Sequence, residues 1–171
     1  MNYEELEDIL DYNLKIVFIG YNPGLKTSQT GHHYAGTSNR FWRLLFESGM
    51  TPYKFRPEED RKLLELGYGS TNIVSRPTRS AVEINKKEFK EGADILKDVL
   101  KKYRPKVAAY MGIGVYKIFS GKKNIKSGLQ QESVIPGILD YVCPSPSGLN
   151  RTSYSEQLDC LRGLKKLIEN L

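Results

Sequence analysis

Two short apolar runs, each ended by a glycine, constrain this chain most. Lys15-Ile16-Val17-Phe18-Ile19-Gly20 and Lys106-Val107-Ala108-Ala109-Tyr110-Met111-Gly112 carry apolar residues at consecutive rather than alternate positions. Such runs suit strands covered on both faces, as in a parallel sheet. Between them lies the clearest helix, Lys86–Tyr103. Asn85 and Glu88 stand at capping-box spacing, and Phe89, Ala93, Leu96, Leu100 and Tyr103 step by four and three. Strands alternating with helices predict an α/β domain, a three-layer αβα sandwich around a mainly parallel central sheet. Ligands bind such folds beyond the carboxyl ends of the strands, here residues 20–23, 72–78, 112 and 143–151.

The remaining elements follow from local punctuation. The stretch 20–38 is rich in Gly, Thr and Ser. Ser38 is expected to cap a helix over 39–48 that turns Phe41, Leu44 and Leu45 to a core, with Gly49 as its stop. Pro57 suits the first turn of a second helix ending near Gly67. Residues 114–119 predict a short helix, and 133–142 predict two strands around Pro136-Gly137. Ser153 with Glu156 starts a last helix carrying Leu158, Leu161, Leu164, Ile168 and Leu171 on one broad face.

With 171 residues, 39% hydrophobic and 27% charged, the chain has the size and composition of one folded domain spanning 1–171. Its 26 Lys and Arg against 20 Asp and Glu leave +6, which favours polyanionic partners through screened attraction. Two cysteines, Cys143 and Cys160, make neither a disulfide framework nor a four-thiolate cluster. The two histidines, His32 and His33, make a closed zinc site hard to assemble; they are expected in loop structure or against phosphate. No cofactor and no metal are expected. The N-terminus is acidic without an apolar core segment, and the longest aliphatic and aromatic stretch, 16–19, falls far below the ~20 residues that cross a bilayer. The expectation is a soluble cytoplasmic monomer without membrane contact, nucleoid-associated if prokaryotic.

The first loop, Gly20-Tyr21-Asn22-Pro23-Gly24-Leu25-Lys26-Thr27, misses the Walker spacing because Gly24 is one residue too far from Lys26. Asn22 then has two readings. In one it orients a water molecule at the polar end of a rigid strand-to-loop turn; an amide can orient water but cannot take its proton as a carboxylate can. In the other it only bonds nearby backbone in an Asx-type turn. Cys143 has no evident base beside it, which argues against a thiol nucleophile. Lys117, Lys122, Lys123 and Lys126 form a basic cluster with two readings, a DNA-phosphate surface or a solvated loop.

Four segments together resemble a known family: Gly20-Tyr21-Asn22-Pro23-Gly24, Gly31-His32-His33-Tyr34, Asn39-Arg40-Phe41-Trp42 and Pro144-Ser145-Pro146-Ser147-Gly148-Leu149-Asn150-Arg151. In order and spacing they are similar to the mismatch-specific uracil/thymine-DNA glycosylases, over residues 14–168. Gly31-His32-His33-Tyr34 looks closer to the thymine branch, and Ser147-Gly148-Leu149 followed by Arg151 to the bacterial uracil branch. The resemblance implies a monofunctional enzyme of base excision repair. It would flip uracil, with thymine as a further candidate, from a mismatch with guanine in duplex DNA and hydrolyse its N-glycosidic bond.

The resemblance also distributes roles. Asn22 would position the attacking water, and Tyr34 would stack on the flipped base. Gly20 and Tyr21 would border the base, with the Tyr21 amide near a base oxygen; the family more often has Ile there. Asn72 would lie near water and base, and Thr78 would line the pocket. Ser145 stands where the bacterial branch has Asn. Leu149 would fill the hole left by the flipped nucleotide, Gly148 and Asn150 backbone groups would read the orphaned guanine, and Arg151 would support the wedge or bind phosphate. Base flipping costs a few kcal/mol, less at a mismatch, and an apolar wedge disfavours reinsertion. Two rivals remain at this level, a phosphoester hydrolase using the glycine-rich loop and a non-catalytic module that binds mismatched nucleic acid.

Overall fold

The computed structural model describes residues 5–171. Strand β1 (Ile16–Gly20) is buried throughout, and its side chains divide by parity. Val17 and Ile19 enter one core, Ile16 and Phe18 the other. Strand β3 (Val107–Met111) repeats the division, with Ala108 and Tyr110 on the first side and Val107, Ala109 and Met111 on the second. Alternating faces that are both covered leave no place for a polar position.

The sheet runs in the order β2 (Tyr68–Asn72), β1, β3, β5 (Leu139–Cys143), β4 (Gly128–Leu129). Strands β2 and β5 join β1 and β3 in a parallel set, and β4 is antiparallel at the edge. Helices α3 (Lys86–Tyr103) and α4 (Ile113–Ser120) cover the first core. The second is covered by α2 (Phe41–Glu47), α5 (Tyr154–Glu169) and a 3₁₀ stretch, Pro57–Leu66, that contributes Leu63. This is the expected three-layer α/β architecture. The chain leaves β1 toward β2, then recrosses to β3 on its other side, so the winding reverses between β1 and β3. A crevice opens at the carboxyl ends of strands at such a reversal.

Several local expectations hold. Asn85 Oδ1 accepts the Glu88 N–H at 2.8 Å and starts α3, and Ser153 Oγ accepts the Glu156 N–H at 3.2 Å at the head of α5. Others are corrected. The stretch 20–38 contains a short helix, α1 (Leu25–Thr30). Helix α2 begins at Phe41, and Asn39 rather than Ser38 takes its first N–H, at 2.9 Å. The segment after Pro57 is 3₁₀ and stops at Gly67, whose φ of 82° is glycine's territory. Of the two strands expected in 133–142, only β5 forms. Asp140 Oδ2 instead accepts the Val134 N–H at 3.0 Å and folds the preceding segment into a turn. Leu171 lies past the end of α5 and is exposed. Among the described residues no helix is long and apolar enough to cross a membrane.

Candidate active site

A cleft of about 640 Å³ lies where the winding reverses. Gly20, Tyr21, Asn22, Tyr34, Asn72, Thr78, Ser145, Gly148, Leu149 and Asn150 all line it; Arg151, at the end of the last loop, does not. Segments more than a hundred residues apart thus meet because β1, β2 and β5 are parallel and end on the same side. Among the described residues no carboxylate lines this cleft, while two cations do, Lys26 and Arg79.

The Asn22 amide has one orientation. Its Nδ2 donates to the Arg76 carbonyl at 2.8 Å, to Thr78 Oγ1 at 2.8 Å and, more weakly, to the Pro23 carbonyl at 3.3 Å. Carbonyl oxygens only accept, so nitrogen must face them. Thr78 spends its proton on the Ser80 carbonyl at 2.8 Å and so receives from Asn22. The Gly24–Thr78 bridge and the Thr78 N–H to Pro23 carbonyl bond, 3.2 Å, hold the two segments together. All these bonds use Nδ2, which leaves Oδ1 as the atom that can accept from a water. The Asx-turn reading therefore gives way to long-range anchoring, and Thr78, 4% exposed, orients Asn22 as well as lining the pocket.

Tyr34 stacks one face on Phe41, with ring centroids 3.7 Å apart and 13° between planes. Tyr34 also lines the cleft. Its φ of 53° shows a backbone held in a sparsely populated region. Its hydroxyl is buried, and burial pushes its pKa well up, so it stays a neutral donor. Asn72 leaves β2 opposite Gly20, and its Oδ1 lies 2.7 Å from where a Gly20 β-carbon would stand. The Tyr21 ring turns away. It packs against Phe89, 6.0 Å between centroids, and over Gly114, where its hydroxyl fills the space of a β-carbon. Burial raises the Tyr21 pKa. The Tyr21 side chain thus extends the first core and leaves the backbone at the cleft.

The loop 144–151 is braced from inside. The Ser145 carbonyl accepts from Asn150 Nδ2 and from Gln157 Nε2, each at 2.8 Å, and Gln157 is 1% exposed. Asn150 Oδ1 accepts from Thr152 N and Oγ1, both at 3.2 Å, and the Asn150 N–H is spent on the Ser147 carbonyl at 3.0 Å. What Asn150 can offer a base is therefore its carbonyl. Gly148 packs so tightly on the loop before α2 that a β-carbon there would stand 2.6 Å from Ser38 Cβ and 2.9 Å from its carbonyl oxygen. Leu149, 79% exposed on this braced tip, has no packing role. Arg151 is exposed too.

Neighbouring groups serve the frame. His33 is 2% exposed; its Nε2 faces the Glu7 carbonyl at 2.8 Å and so carries the proton, and Ser70 Oγ bonds Nδ1 at 2.8 Å. Burial lowers its pKa, and Trp42 Nε1 donates to its carbonyl at 3.2 Å. Cys143 is buried, and its thiol is pushed up by Cys160 and by burial. Helix α4 runs back from the end of β3, which carries the cluster from Lys117 onward away from the cleft; Lys122 bonds the Glu132 carbonyl at 3.4 Å. Among the described residues no group of three or more His, Cys, Asp or Glu is arranged to hold a metal ion.

The model of the uracil DNA glycosylase superfamily matches residues 7–166. The chain belongs to that superfamily. Its uracil-DNA glycosylase fold is the α/β sandwich described above, its partner is DNA, and its chemistry is hydrolysis of an N-glycosidic bond. Within the superfamily cleft, the residues that motif reading overlooks are those acting through backbone or through distance. They are the Arg76 carbonyl, the Gln157 brace, Ser38 under Gly148, and the cations Lys26 and Arg79. Lys26 lies two residues beyond Gly24, Ser38 directly precedes Asn39-Arg40-Phe41-Trp42 and Arg79 follows Thr78, so each stands beside a motif without belonging to it.

Proposed function

We propose that this protein is a monofunctional glycosylase of base excision repair, acting as a monomer on uracil mispaired with guanine in duplex DNA, with thymine a slower second substrate. The observation that carries the reading is Asn22, its Nδ2 tied to Arg76 and Thr78 so that Oδ1 is the atom left to accept, in a cleft lined by no carboxylate among the described residues. A flipped pyrimidine stacks on Tyr34 with the Asn72 amide at its edge, and Leu149 occupies the vacated position in the duplex. The C1′–N1 bond breaks with its electron pair passing to the pyrimidine. Water held by Asn22 bonds to C1′, and the proton it loses ends on the departing base. Because an amide takes no proton, the rate leans on leaving-group stability, and the electron-donating methyl of thymine slows it. The working location is the cytoplasm, at the nucleoid in a prokaryote.

The test is base release from labelled duplexes carrying G·U, G·T or A·U, and from single-stranded U, with and without EDTA, under single-turnover conditions. Release from G·U that is indifferent to EDTA and collapses in Asn22→Ala supports the reading. Release unchanged in the variant removes Asn22 from the mechanism. Tight mismatch binding with no release from any substrate leaves a binding module.

A further inference from the structure

We infer that Lys26 and Arg79 form a phosphate clamp on the strand that carries the flipped nucleotide, on the wall of the cleft that also holds Asn22. Both line the cleft, and among the described residues neither has an ion-pair or side-chain hydrogen-bond partner. Arg76, in the segment just before Arg79, is by contrast spent on Glu88 at 2.9 Å, as Arg43 is on Glu47 at 3.1 Å and Lys62 on Glu59 at 2.8 Å. Two unpaired cations in a cleft without a carboxylate leave a local positive field that an incoming phosphate neutralises.

Their carriers are fixed relative to the chemistry. Lys26 is on α1, two residues past Gly24; Arg79 follows Thr78; and Gly24 and Thr78 are joined by a parallel bridge. The turn bearing Arg79 is rigid, with the Ser80 N–H held by Glu83 Oε2 at 2.8 Å and the Glu83 carbonyl held by Arg76 Nη2 at 3.1 Å. Thr78, beside Arg79, accepts the Asn22 amide. A phosphate seated on this pair therefore sets the sugar of the same strand against the water-holding group. The same turn exposes Val82 at 89%, an apolar side chain on a braced tip that faces no part of its own protein.

The inference rests on the glycosylase reading for its substrate, yet it is tested by binding alone. Affinity for a G·U duplex and for a matched duplex is measured across a salt series with native protein, Lys26→Gln/Arg79→Gln, the charge-keeping pair Lys26→Arg/Arg79→Lys, and Lys101→Gln as an exposed control on the last turn of α3. Each phosphate contact contributes roughly 0.9 to the slope of log affinity against log salt. The double Gln variant is expected to lose roughly 0.9 to 1.8 of that slope, the charge-keeping pair to retain it, and Lys101→Gln to lose less than the double variant. At saturating enzyme, single-turnover release from G·U should fall further in the double variant than in Lys101→Gln. A double Gln variant with the native slope overturns the clamp, whether or not bases are released. A slope lost equally in Lys101→Gln overturns it too, because the effect is then net charge. Absence of release from the native protein defeats the glycosylase reading while leaving the slope comparison intact.

Discussion

Thr78→Val probes the link between the frame and the water-holding residue. The change keeps the shape of the side chain and deletes one hydroxyl, which accepts from Asn22 Nδ2 and donates to the Ser80 carbonyl, both at 2.8 Å. Asn22 then keeps the Arg76 carbonyl at 2.8 Å and the longer bond to Pro23. A neutral hydrogen bond is worth about 0.5–1.5 kcal/mol net. If it biases Asn22 toward its working orientation, single-turnover release from G·U falls roughly 2- to 13-fold. Asn22→Ala removes the water's acceptor altogether and is expected to cost roughly 100-fold or more, as misplaced reacting groups do. The double variant decides between orientation and general damage. If Thr78 acts through Asn22, Thr78→Val has no further effect in the Asn22→Ala background, and the coupling energy equals the whole single-variant effect. Independent, additive losses, or a native rate in Thr78→Val, refute the reasoning. The melting temperature of each variant is read alongside to remove folding from the comparison.

Leu149→Ala should leave the melting temperature within experimental scatter, since the side chain is 79% exposed and surface changes rarely exceed about 0.5 kcal/mol. It should weaken duplex binding and release at limiting enzyme roughly ten-fold or more, from apolar surface no longer buried in the base stack. Gly148→Ala should push the loop off Ser38 at a cost of about 1–3 kcal/mol, and Ser38→Gly in the same chain should recover part of the loss, read as release from G·U. Acid should destabilise the protein as pH falls below about 6.5. Buried His33 has a lowered pKa, so the unfolded chain takes up the proton first and folding loses stability through that window. Asp8 and Asp140, whose carboxyls burial raises, act with the opposite sign nearer the carboxylate range. A melting temperature that is flat from pH 7 to about 5.5 contradicts the assignment. Finally, the product strand should be an uncut abasic strand, and borohydride should trap no adduct on Lys26, the lysine lining the cleft; trapping would show imine chemistry.

The amino-acid sequence by itself determined the layers and most of the cleft. Consecutive apolar residues at 16–19 and 107–111 require two covered faces, and the Asn85–Glu88 and Ser153–Glu156 caps are local and readable. The Leu149 loop was legible because an aliphatic residue in a run of Pro, Ser and Gly has no core to join. Local rules failed where a distant partner competed with them. Asn39 rather than Ser38 took the first N–H of α2, and Asp140 drew residue 134 into a turn instead of a strand. Only the tertiary structure decided how Asn22 points. Its two close acceptors lie 54 and 56 residues away, and one of them is a backbone carbonyl. Every residue has such a carbonyl, so no residue type marks it in the sequence. The close approach of β1 and the turn after β2 turns that anonymous oxygen into the group that aims the amide.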